Sequence, residues 1–114
     1  MPKFITIGYG DKAGYDQTAK PVRDAAHAAD AERVRQGDVM GVAGKPVQVR
    51  NHDAAKVEVM EGAFLSADLP IAGFALIEAA DLSAAIEIAA NSPCAVARGL
   101  VEVWPLDSIP DAKA

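Results

Sequence analysis

Gly73-Phe74-Ala75-Leu76-Ile77 is an apolar run without alternation. A strand with one wet face alternates apolar and polar side chains, whereas a strand covered on both faces reads as a continuous apolar run. Phe4-Ile5-Thr6-Ile7-Gly8-Tyr9 has the β-branched and aromatic content of a strand and also places bulk on both sides. These two segments set the requirement that the fold must meet. Their sheet needs cover on both faces.

The segments between them supply one cover. Pro21 to Gln36 is predicted to be a helix: Pro suits a first turn, apolar residues recur at Val22, Ala25, Ala26, Ala29 and Val34, and Gly37 suits a left-handed terminator. Gly10-Asp11-Lys12-Ala13-Gly14 before it reads as a turn. Val39 to Ala43 is a second strand, ending at Gly44-Lys45-Pro46. Val47–Arg50 and Lys56–Val59 alternate in the manner of a hairpin around Asn51–Ala55, with one wet face. Glu61 to Pro70 is an irregular connection with room for a helical turn. Asp81 is placed to cap a helix carrying Leu82, Ala85, Ile86 and Ala89 on one face, and Asn91-Ser92-Pro93 stops it. Leu100 to Trp104 is the last strand, closed by Pro105. One domain over 1–106 and a loose tail over 107–114 account for the chain.

The resulting order is β-α-β, hairpin, β-α-β. It matches a ferredoxin-like α+β fold, βαββαβ, with an inserted β-hairpin. Two helices cover only one face of a four-stranded sheet. In a chain of 114 residues the simplest cover for the other face is a second copy of itself, so a homodimer through sheet faces is expected.

Composition narrows the partners. Hydrophobic residues make up 51% and charged residues 24%, a globular balance, and 24 residues are Ala, which favours close helix packing. The net charge of −5 argues against binding nucleic acid or an anionic membrane surface. No apolar stretch approaches the roughly 20 residues of a membrane helix. The single Cys94 excludes an intrachain disulfide framework, and the N-terminus leads directly into a strand, so a cytoplasmic protein without a secretory signal is expected.

Glu61-Gly62-Ala63-Phe64, followed ten residues later by Gly73-Phe74, resembles the Asp-Gly-Pro-Phe and Gly-Gly-Phe signature of the YCII-related, or DGPF-domain, family. The similarity continues through Leu76-Ile77, Asp81-Leu82, Ala84-Ala85-Ile86, Ala89-Ala90 and Pro93, and closes on Val101-Glu102-Val103 with Pro105. Phe4–Ile7 with Tyr9-Gly10-Asp11 is similar to the family's opening strand and turn, so the resemblance spans about Lys3 to Pro105. Glu61 stands where Asp is usual, one methylene further out, and Ala63 replaces Pro, freeing φ and restoring an N–H. The resemblance implies a ferredoxin-like fold paired into a dimeric α/β barrel. It also implies a His in the first long helix acting with a nearby Asp as an acid–base dyad. Some relatives are linked to dehydrochlorination of ring-cleavage products, and others occur beside sigma-factor-like regulators.

On that implication His27 and Asp30 are the catalytic candidates, with Asp24 and Asp38 as alternative carboxylates. The plainer reading of His27 is a surface residue on an Ala-rich helix. Tyr9, Glu61, Phe64 and Phe74 are candidate substrate-binding residues around a cleft between sheet and helices; core packing and a turn are their plain alternatives. His52 in the hairpin loop reads as solvated, because adjacent loop positions seldom converge on one metal. Cys94 shows no neighbouring base that would activate it. Gly8-Tyr9-Gly10-Asp11-Lys12-Ala13 fits a dinucleotide fingerprint in letters only, since no helix opens on its second glycine and Asp11 would face the pyrophosphate. No cofactor and no metal are expected. Two functions follow: cofactor-free acid–base chemistry of a lyase or isomerase type on a small organic molecule, or a non-catalytic dimeric module binding a metabolite or a regulator.

Overall fold

The computed structural model describes residues 1–108 and residue 110, so 109 and 111–114 of the expected tail lie outside the described residues. The fold is α+β with antiparallel sheets and, among the described residues, no closed barrel. Four strands form the main sheet: β1 (Lys3–Tyr9), β2 (Val39–Val42), β5 (Ile71–Glu78) and β6 (Leu100–Pro105), in the order β2-β5-β1-β6. All three pairings are antiparallel. Each helical crossover therefore steps over one strand, and β1 and β5 sit at the centre. The other two strands, β3 (Val47–Arg50) and β4 (Glu58–Glu61), pair antiparallel as a separate ribbon.

The first crossover holds two helices where one was expected. Asp11 does not start a simple turn. Its Oδ1 accepts the Gly14 N–H at 2.8 Å and caps a short helix, α1 (Lys12–Gln17), braced by a Lys12–Asp16 ion pair of 2.6 Å. Asp serves turns and N-caps equally well, so the residue types at Gly10–Gly14 fit the expected turn and the observed cap alike. The long helix α2 (Lys20–Arg35) carries Pro21 in its first turn, and Gly37 follows it at φ +105° as expected. Only Ala26 of α2 is buried, so the helix stands off the sheet instead of lying on it. Its C-terminal end is fixed. Arg33 Nε donates to the buried Asp38 carboxylate at 2.6 Å, Arg33 Nη2 donates to the Glu78 carbonyl at 2.8 Å, and Asp38 accepts the Glu78 N–H at 3.2 Å.

In the second crossover Asp81 accepts the Ala84 N–H at 2.8 Å and caps α3 (Leu82–Ala90), as its position predicts. Ala85 and Ala89 face the sheet, but Leu82 and Ile86 stay half-exposed, with Ile88 taking the inward position. A short α4 (Pro93–Val96) follows and packs against α2. Phe4, Ile77, Ala79 and Ala85 form the core, joined by Ala75, Ala84, Ile88 and Val103.

The register assigns the two faces. Phe4 lies opposite Ile77, and Thr6 opposite Ala75 and Val103, so these residues turn towards the helices. Ile5 lies opposite Leu76 and Trp104, Ile7 opposite Phe74 and Glu102, and Val39 opposite Leu76, all on the other face. That face is apolar and open: Trp104 is 56% and Phe74 47% exposed. In the ribbon, a 3-10 turn at His52–Ala54 with Asp53 and Ala54 at positive φ moves β4 two residues beyond its expected place. Val49 pairs with Val59, both are largely exposed, and β4 is wet on both faces rather than one. No helical turn forms over 62–70.

Candidate functional site

Because α2 stands away from the sheet, a cavity of about 510 Å³ opens between them. Its floor is β1, β2 and β5, through Thr6, Met40, Gly73 and Ala75, and its far wall is Ile88, Ala89 and Cys94. Gly73 shapes the floor, since a Cβ there would sit 2.6 Å from the Gly41 carbonyl oxygen. Most of the lining is apolar. Polar groups collect at the α1–α2 side: Asp11, Tyr15, His27, Asp30 and Arg33.

His27 lies at the rim, exposed, with its Nε2 2.9 Å from the Tyr15 hydroxyl. Asp30 is half-buried, and burial raises its carboxyl above its ordinary value against the pull of the His27 charge. Of the three carboxylates weighed as partners for His27, Asp30 is the one in the cavity lining. Asp24 is turned to Lys20, at 2.7 Å, which holds its carboxyl low; Asp38 is held by Arg33. Cys94 lines the same cavity with its thiol pushed up by burial and then by the Asp30 charge, so it is a poor thiolate.

The other expected binding residues do not converge here. Tyr9 is buried, and its hydroxyl meets Glu102 Oε1 at 2.5 Å; Glu102 lies on the open face, opposite Ile7. That hydrogen bond, with burial and the Glu102 charge, raises the Tyr9 phenol. Phe64 lines a second groove of about 700 Å³ between the ribbon and the 62–71 segment. Glu61 ends β4 in solvent and lines neither. Phe74 borders both spaces. His52 is exposed in the ribbon turn. Among the described residues no three His, Cys, Asp or Glu side chains gather as metal ligands, and no helix is long and apolar enough to cross a membrane.

Two residues of this site escaped the sequence reading. Tyr15 falls between the Gly10–Gly14 turn and the helix expected from Pro21, where no element is expected, and Arg23 lies inside that helix. A signal did exist. Arg23, His27 and Asp30 follow at i, i+4 and i+7, which puts them on one stripe of α2.

No curated protein matches the chain. The family model of the YCII-related domain matches residues 3–108, nearly the whole sequence. With an antiparallel α+β fold and a match of this extent, the chain belongs to the YCII-related family.

Proposed function

We propose that the cavity under α2 binds a small, largely apolar organic molecule with one polar end and carries out cofactor-free acid–base chemistry on it. The observation that supports this is the placement of His27 and Asp30, with Asp11, Tyr15 and Arg33, at one end of a largely apolar cavity. An imidazole near a carboxylate is suited to moving protons at neutral pH. The strand order β2-β5-β1-β6, with each crossover stepping over one strand, supports a ferredoxin-like βαββαβ fold with β3–β4 as its inserted hairpin. The exposed apolar face of Val39, Leu76, Phe74 and Trp104 supports a homodimer that closes into an α/β barrel. The single free Cys94 supports a reducing, cytoplasmic setting.

The test uses 2-tetralone, an apolar ketone with an exchangeable α-hydrogen, in deuterated buffer, with NMR following its exchange. The wild-type protein is expected to accelerate exchange, and His27→Ala to lower the rate about 10²–10⁴-fold with the fold intact. His52→Ala, far out in the ribbon turn, is the silent control. Wild-type exchange no faster than buffer overturns the catalytic reading. The exposed position of His27 favours the second reading, a binding module without chemistry. Cavity resonances that shift on adding 2-tetralone, with no exchange, would establish it.

A further inference from the structure

Helix α2 presents Arg23, His27 and Asp30 along one stripe, and Tyr15 of α1 docks on the first two. The Tyr15 hydroxyl is 2.9 Å from His27 Nε2, with ring centroids 5.9 Å apart and planes tilted by 57°. The Arg23 guanidinium carbon lies 4.6 Å from the Tyr15 ring centroid. Among the described residues Arg23 Nε is buried without a hydrogen-bond partner, and the guanidinium's contact is with the ring face. The order is cation, phenol, imidazole, carboxylate.

That order would compensate the charges created by one proton shift. If the Tyr15 proton moves to His27 Nε2, the phenolate lies under the Arg23 charge and the imidazolium within the field of Asp30. Each new charge then faces an opposite one, and the two attractions offset part of the cost of separating charge. Tyr15 and Asp30 both line the cavity, whereas Arg23 does not.

We propose that Tyr15 is the residue that exchanges the proton with the bound molecule, and that His27 holds the proton Tyr15 has released. The inference rests on the acid–base reading of the cavity. The Tyr15 O–H bond breaks as the His27 Nε2–H bond forms. The phenolate then takes a proton from the substrate C–H, reforming the Tyr15 O–H bond and leaving the C–H electron pair on the substrate as an enolate. The protein ends with a neutral Tyr15 and a cationic His27, one proton richer than before, and the reverse steps return it. Arg23 acts through Tyr15 and is a positioning residue.

The test combines ¹⁵N NMR of the His27 ring with the 2-tetralone exchange. An imidazole whose Nε2 accepts from Tyr15 is the Nδ1–H tautomer when neutral, the opposite of the usual preference in water. Wild-type protein is expected to show Nδ1–H, and Tyr15→Phe, which keeps the ring under Arg23, to revert to Nε2–H. Tyr15→Phe should also lower kcat for exchange about 100-fold with KM nearly unchanged, and Arg23→Gln should lower it less. If His27→Ala abolishes exchange while Tyr15→Phe leaves it intact, Tyr15 is not the proton-exchanging group and the cavity reading stands. An Nε2–H tautomer in the wild type overturns the inference in the same way. If the wild type does not exchange at all, the cavity reading falls, and the role of Tyr15 falls with it.

Discussion

Two single positions carry consequences out of proportion to their size. A Cβ on Gly99 would press into the Tyr9 carbonyl oxygen and lie 2.8 Å from the Cys94 carbonyl oxygen, both backbone atoms that cannot swing away. Gly99→Ala should therefore cost at least the upper end of the usual overpacking range of about 1–3 kcal/mol, read from urea midpoints. Asp30 makes the opposite prediction. Its carboxyl is raised on folding, mainly by burial, so its ionised form is penalised in the folded state. Stability is lost as pH rises from the unfolded carboxylate value through the folded one, and is regained on acidification. Asp30→Asn should thus raise Tm at neutral pH, with the gain vanishing near pH 3. The place of His27 and Asp30 in the cavity lining was legible mainly through the family resemblance, since a lone His with a carboxylate within one turn does not by itself declare a role. Tyr15 was not legible, because its hydrogen bond joins two helices whose crossing no local spacing encodes.

At the level of elements, the strands were legible almost to their ends, since β-branched runs bounded by Gly and Pro have one reading. The misplaced parts share a cause. Whether Asp11 opens a turn or a helix, and where β4 resumes after two residues in the left-handed region, depend on backbone choices that composition does not fix. Helix α2 was legible, but its distance from the sheet was not, and that distance makes the cavity. Its position depends on the clamp at its C-terminal end. Arg33 has a side chain only 21% exposed and bonds Asp38, while Asp38 also accepts the Glu78 N–H. Asp38→Ala leaves a mostly buried guanidinium without its counter-charge and a backbone donor without its acceptor. It should destabilise the fold by about 3–5 kcal/mol, measured by chemical denaturation.

Across the whole molecule, the unbroken apolar run at 73–77 was a statement about both sides of a sheet. The helices answer one side, and Val39, Leu76 and Trp104 are left on the other. Neighbouring residues of that run report on different things. Ile77 points into the core at 2% exposure, so Ile77→Glu should unfold the chain. Leu76 points to the open face, so if the proposed homodimer forms there, Leu76→Glu should leave a folded protein that sediments as a monomer while the wild type sediments as a dimer. The same alternation puts Ile77 in the cavity lining and Leu76 on the open face, with Phe74 at the border of the two. In a pair joined by their open faces, two sheets about 10 Å apart lie between two cavities that both look outward. In such a pair each cavity would draw its polar groups from its own α1 and α2, and filling one would remove nothing the other needs. Titration with 2-tetralone should accordingly be hyperbolic, with one molecule per chain and a Hill coefficient of about 1. A sigmoidal curve would mean that the stacked sheets shift together when one side is occupied.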